Sequence, residues 1–132
     1  MHNVGQIMHS GGRNSVVPDS SCFRDMLEEM NAKRLGAVSI VDGQGRLLGL
    51  ITDGDVRRLL LKTQVPLPEL FMKNVKNIMT PNPKTISADA SLHEALLLLE
   101  RHGFWVIPVV DRDHVLVGML HMHALLKAMG GS

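Results

Sequence analysis

Apolar residues recur along this 132-residue chain with two periods, and the whole arrangement occurs twice. Phe23, Met26, Leu27 and Met30 fall at i, i+3, i+4 and i+7, the spacing of one apolar helix face. Leu92, Ala95, Leu96 and Leu99 repeat that spacing. Ser91 and Glu94 are spaced as a capping box, which predicts a helix start there. Gly36 and Gly103 stand just beyond the two predicted helices, where a left-handed residue can end them. Each glycine is followed by a short apolar run, Ala37–Val41 or Val106–Val110, and then a polar turn, Asp42–Arg46 or Asp111–His114. A second run, Leu47–Ile51 or Val115–Leu120, completes a predicted β-hairpin. A closing helix carries Val56, Leu59 and Leu60, or Leu125, Ala128 and Met129. With a short strand at Val16-Val17 or Thr85-Ile86, each unit reads β-α-β-β-α.

The copies align residue by residue. Val4–Met8 matches Val75–Met79 at an offset of 71, whereas Val41-Asp42 matches Val110-Asp111 and Gly49 matches Gly118 at an offset of 69. Eight residues separate Met8 from Val17 but six separate Met79 from Ile86, so the first copy carries a short insertion around Gly11-Gly12. The boundaries that follow are a first repeat over 1–61, a connector over 62–74 and a second repeat over 75–132. Pro66 and Pro68 lie in the connector, and Pro68 is expected to open a helical turn over Glu69–Lys73. A unit of about 60 residues buries too little surface to stand comfortably alone. Two copies stacked sheet against sheet about a pseudo-two-fold axis would solve that, in an α/β (α+β) architecture with a ligand cleft between the repeats.

Composition narrows the function classes. Hydrophobic residues make up 45% and charged ones 20%, the balance of a globular protein. With 14 basic and 13 acidic residues there is no basic field to hold a nucleic-acid backbone, and aromatic residues for base stacking are scarce. The single Cys22 excludes an internal disulfide and suits a reducing cytoplasm. The longest wholly aliphatic run, Ala95–Leu99, is far short of the ~20 residues of a membrane span. The N-terminus lacks the pattern of a signal peptide, so a cytoplasmic location is expected. Nine methionines and no tyrosine carry no functional reading.

The stretch richest in chemistry is Gly49 to Arg58, predicted to run from a strand end into a helix start. N–H groups at a helix N-terminus, with the Thr52 hydroxyl, can hold a phosphate oxygen. Asp55 can accept both hydrogen bonds of a vicinal diol such as a ribose, and Gly54 would let a ligand approach the backbone. The plainer reading is that Thr52 or Asp53 caps the helix and the acids favour its dipole. Arg57 and Arg58 follow Asp53 and Asp55 at i+4 and i+3, which suits surface ion pairs. Lys84 and Thr85 lie at the predicted short strand, where the lysine either reaches a phosphate or stays solvated. Trp105, beside Val106, either stacks on a base or sits half-buried at the sheet edge. His121 and His123 alternate along a strand end. Without an obvious third ligand they suit a ligand anion or a structural role better than a metal. No nucleophile–base pair or carboxylate dyad supports catalysis.

Ile78-Met79-Thr80-Pro81, Val106-Ile107-Pro108-Val109-Val110-Asp111 and Gly49…Thr52…Asp55 together resemble a tandem CBS domain pair, or Bateman module, over nearly the whole chain. The resemblance implies a non-catalytic module that binds a nucleotide or related small anionic metabolite in its cleft and regulates an attached protein. It also implies dimers in which helices of one module pack on another. Three segments narrow it: Ile51-Thr52-Asp53-Gly54-Asp55-Val56-Arg57-Arg58, Leu120-His121-Met122-His123-Ala124-Leu125-Leu126 and Ile7-Met8-His9-Ser10-Gly11 are similar to the C-terminal region of arabinose-5-phosphate isomerases. Those enzymes make arabinose 5-phosphate for synthesis of Kdo, an acidic sugar of lipopolysaccharide and capsule, in an N-terminal sugar-isomerase domain that these residues do not include. The chain departs from the pattern at Ala124, where the family has Asp, and at His121, where a generic CBS motif has Thr.

The expected ligand contacts are therefore Thr52, Asp53, Gly54, Asp55, Arg58, Lys84, Thr85, Trp105, Val106, His121 and His123, with no catalytic residue and no metal. Pathway logic favours the nucleotide sugar CMP-Kdo as ligand, with an adenine nucleotide (AMP or ATP) as the alternative. The rival class is a purely structural oligomerisation module. The expected partners are the sugar-isomerase domain of the parent chain and a second copy of the module, with neither nucleic acid nor membrane.

Overall fold

The computed structural model of the protein describes residues 2–130. In chain order its regular elements are α1 (Val4–Ile7), β1 (Val16–Pro18), α2 (Phe23–Lys33), β2 (Ala37–Val41), β3 (Leu47–Thr52), α3 (Asp53–Lys62), α4 (Leu67–Phe71), β4 (Thr80–Pro81), β5 (Ile86–Ser87), α5 (Leu92–His102), β6 (Val106–Val110), β7 (Leu116–His121) and α6 (Met122–Ala128). Short 3₁₀ turns occupy Gly11–Arg13 and Val75–Asn77. The strands form two mixed sheets, ordered β1-β2-β3-β4 and β5-β6-β7. In each, a parallel pair (β1 with β2, β5 with β6) is followed by an antiparallel hairpin. The twice-repeated β-α-β-β-α order expected from the sequence is thus the observed one, in an α+β architecture.

The chain divides into two compact units that exchange their leading segments. Residues 15–83 form one, and residues up to Asn14 join those from Lys84 onward to form the other. The leader of each copy therefore packs on the body of the other copy. Val4 donates its N–H to Ala90, and His9 forms a two-bond bridge with Met119, both bonds 2.8 Å. In the other unit, Thr80 and Pro81 pair with Leu50 and Gly49 as the edge strand β4. The sequence pattern predicts no strand or helix in these leaders, which are too short to carry a period.

Both cores come from the predicted faces. Phe23 and Met26 are fully buried on α2, with Leu27 and Met30 packed against them beside Ile40, Ile51, Leu70 and Val75. Ala95 and Leu99 on α5 are buried with Ile107, Val109, Leu120 and Leu125. Each such large side chain contributes roughly 1.5–3 kcal/mol on leaving water. On α3, Val56 and Leu59 pack inward while Leu60 is exposed.

Several local features depart from the sequence expectations. Helix α2 ends not at Gly36 but at Arg34, which is left-handed at φ 57° and is the counterpart, 69 residues earlier, of the left-handed Gly103 that ends α5. Gly36, also at positive φ, instead matches Trp105, and their carbonyls accept the N–H of Asp53 and Met122 respectively. The capping box at α5 forms by half: Ser91 Oγ accepts from the Glu94 N–H at 3.1 Å, while the Glu94 carboxylate takes the Ser91 hydroxyl at 3.4 Å. The connector helix starts at Leu67, with Pro68 at its second position, so the expected turn over Glu69–Lys73 begins two residues early. Strand β5 begins at Ile86 and leaves Thr85 outside. In the first sheet the Ser39 N–H donates to the Ser15 carbonyl at 3.0 Å, and the matching residue of the second copy is Pro108, which has no N–H. The parallel ladder there is one residue shorter. The hairpin turns are built alike, with Asp42 Oδ1 accepting from Gln44 and Arg46 and Asp111 Oδ1 from Asp113 and Val115. Those two N–H donors hold the Asp42 carboxyl below its ordinary pKa.

Candidate functional site

Strand β3 passes directly into α3, and Thr52 is both the last residue of the strand and the N-cap of the helix. Its hydroxyl accepts from the Asp55 N–H at 3.2 Å, and Asp55 Oδ2 accepts from the Thr52 N–H at 2.9 Å. Two otherwise unpaired donors are satisfied reciprocally. Asp55 Oδ1 accepts from Arg58 at 2.8 Å, and the Arg58 guanidinium lies over Gly54, 3.2 Å from where a Cβ would stand. The capping role of Thr52 and the Asp55–Arg58 ion pair are therefore both realised. Asp53 is exposed, its N–H held by the Gly36 carbonyl at 3.0 Å. Each Asp55 oxygen keeps a lone pair for a further donor. The Asp55 side chain is 23% exposed, and Arg58 is the group that covers Gly54.

In the other unit, the parallel pairing of β5 with β6 and the antiparallel return of β7 bring Lys84, Thr85, Trp105, Val106 and His121 to one end of the three-stranded sheet. Lys84 is exposed and Thr85 partly buried. Val106 pairs with His121 and is itself buried, so it offers a ligand only its backbone. Trp105 is 70% exposed, not half-buried at the sheet edge, and joins Leu99, Gly103, Phe104 and Met122 around a small apolar hollow. His121 takes the place of Thr52 as N-cap: its Nδ1 accepts from the His123 N–H at 3.1 Å, which leaves the proton on Nε2. Burial, then the neighbouring His9 and His123, hold His121 below its ordinary pKa. His123 is exposed, and Ala124 stands at the position of Asp55 without a carboxylate.

His9 was not among the sequence candidates. The offset of 71 matches it to Thr80, and the same alignment that paired His121 with Thr52 would have found it. Burial, followed by the Arg13 guanidinium, lowers its pKa, and the Met119 backbone draws it back up by less. Among the described residues, no group of three or more His, Cys, Asp or Glu is placed to hold a metal ion. No helix among them is long and apolar enough to cross a membrane.

Comparison with known proteins is consistent across sequence and structure. The CBS domain family model matches residues 4–62 and 75–131. An uncharacterized protein of Rickettsia prowazekii is 36% identical over 94% of this chain and 37% of its own length. The arabinose 5-phosphate isomerase KdsD of Escherichia coli K12 is 35% identical over 95% of this chain, again 37% of that protein. The chain thus spans little more than a third of the length of these relatives. Among solved structures, CBSX2 in complex with AMP superposes with a TM-score of 0.85 at 28% identity, covering 99% of this chain and 98% of that one.

Proposed function

This chain belongs to the CBS domain family, and we propose that it is the regulatory, ligand-sensing CBS pair of an arabinose-5-phosphate isomerase. The observation that carries this is the strand-to-helix junction at Thr52–Asp55, whose hydroxyl and carboxylate are ordered at a helix start. The likeness to KdsD over 95% of the chain supports the parent enzyme, and the AMP complex of CBSX2 supports a nucleotide-type ligand. The module itself is non-catalytic and sits in the cytoplasm. The isomerase domain lies in the parent chain, and the signal passes to it from the bound metabolite.

The ligand is a small nucleotide or nucleotide sugar. Asp55 and Thr52, with Asp53, Gly54 and Arg58, take a ribose or phosphate. On the other unit Lys84, Thr85, Trp105, Val106, His121 and His123 are the proposed ligand contacts, with the histidines taking acidic groups. CMP-Kdo is favoured because it is an anionic nucleotide sugar downstream of the isomerase product, and AMP or ATP is the alternative. A thermal-shift screen over these compounds tests the reading, since a ligand at about 100 times its Kd stabilises by about 2.7 kcal/mol. The second reading, a purely structural oligomerisation module, is favoured by Ala124 and by the engagement of both Asp55 oxygens within the protein. It predicts no shift with any compound.

A further inference from the structure

The two copies differ in side-chain chemistry where each leader meets the other copy's hairpin. In one unit Thr80 pairs with Leu50 on β3, whose last residue is Thr52. In the other, His9 bridges Met119, two residues before His121. Residues at such diagonal positions of an antiparallel pair lie about 7–8 Å apart, within reach of ring side chains. The short insertion in the first leader adds the 3₁₀ turn Gly11–Arg13, closed by the Arg13 N–H on the Ser10 carbonyl at 3.1 Å, and carries an exposed arginine whose charge acts on His9.

We propose that His9, Arg13 and His121 form an oxyanion-binding subsite on this unit, which takes a phosphate or carboxylate group of the ligand, and that the insertion exists in the first leader to supply Arg13. Three observations support it. His9 Nδ1 is buried and has no hydrogen-bond partner among the described residues. His121 spends its Nδ1 on the cap of α6 and keeps Nε2–H as a donor. The charged side chains that act on the two imidazoles (Arg13 on His9, and His9 with His123 on His121) are all basic. A cluster of mutually repelling donors is relieved by an anion, whose arrival raises both imidazole pKa values and draws protons in. The subsite deepens the reading that this module senses an anionic metabolite and rests on it for the identity of the natural ligand.

The test is a histidine ring NMR titration of the whole chain near pH 6.5 with inorganic phosphate, with acetate, and with sodium chloride at matched ionic strength. The expected result is saturable movement of the His9 and His121 resonances with phosphate, acetate or both, and not with chloride. The preferred anion tells a phosphate from a carboxylate subsite. Arg13→Gln, on an exposed side chain, should weaken that response about fivefold, and His9→Gln should remove it. Movement equal in chloride, or unchanged in Arg13→Gln and His9→Gln, would overturn the subsite. Titration with AMP or CMP-Kdo separates the two ideas. Nucleotide binding that is insensitive to Arg13→Gln and His9→Gln sinks the subsite alone. A phosphate response without any nucleotide binding leaves the subsite standing and sinks the nucleotide reading.

Discussion

The Met79 side chain occupies the space that a Cβ on Gly49 would need, and Met8 stands in the same relation to Gly118. Each methionine closes the leader of one copy and each glycine sits in the second hairpin strand of the other. The same close approach thus occurs in both copies, at positions that match between them. Gly49→Ala would also bring its Cβ within 2.9 Å of the Thr80 carbonyl, which cannot swing aside. It should cost about 1–3 kcal/mol, the range of overpacking in a filled core. Urea unfolding checks this, and adding Met79→Ala should recover only part of the loss because the carbonyl stays.

Arg34 ends α2 in the left-handed conformation that its counterpart Gly103 adopts freely. Arg34→Gly relieves the Cβ clash, at some cost in unfolded-chain entropy, and should stabilise the protein by about 0.5–1 kcal/mol. A midpoint at higher urea with unchanged slope is the expected result.

His9 and His121 both carry pKa values lowered from 6.5, chiefly by burial. Below pH 6.5 the unfolded chain binds protons that the folded chain resists. The stability these residues contribute is full above that pH and lost as pH falls toward and through the folded values. The unliganded protein should therefore unfold at lower urea at pH 5.5 than at pH 8. The double variant His9→Gln, His121→Asn, in which Asn keeps a capping oxygen, should show a smaller difference.

Leu60 and Leu61 on α3 and Leu126 on α6 face solvent, with Leu61 82% exposed. Exposed apolar side chains on closing helices suit association with a second copy, in line with the dimer expected from the family. Sedimentation at high micromolar concentration should give a dimer, and Leu61→Glu should shift it toward monomer.

Much of this fold was legible because both helix faces and both hairpins carry a period and occur twice. Phe23 and Met26 announce α2, and the Asp42 and Asp111 turns announce the hairpins. What escaped was non-local or single-residue in origin. Val4–Met8 reads as the start of the first copy, yet its partners Ala88, Ala90 and Gly118 lie in the second. The pairing of Gly36 with Gly103 followed composition, whereas the copy offset pairs Arg34 with Gly103. Pro108 was visible in the sequence, but its effect on Thr85 needs the ladder. At the candidate site, Thr52 and Asp55 were readable from spacing. The Asp55–Arg58 pair was readable too, from its i+3 spacing, whereas the bridge of His9 to Met119, two residues before His121, depends on a partner brought in by the fold.

The Thr52–Asp55 junction is proposed to bind a ligand rather than only to start a helix. Asp55→Asn addresses it most directly, because Asn keeps an oxygen for the Thr52 N–H while losing the carboxylate. Calorimetry of wild type and Asp55→Asn with CMP-Kdo and with AMP should show saturable binding of at least one. A carboxylate–diol contact of roughly 1.5–3 kcal/mol predicts affinity at least about tenfold weaker in the variant. Equal affinities, or no binding of either compound by the wild type, would contradict it and leave Asp55 a helix-capping residue alone.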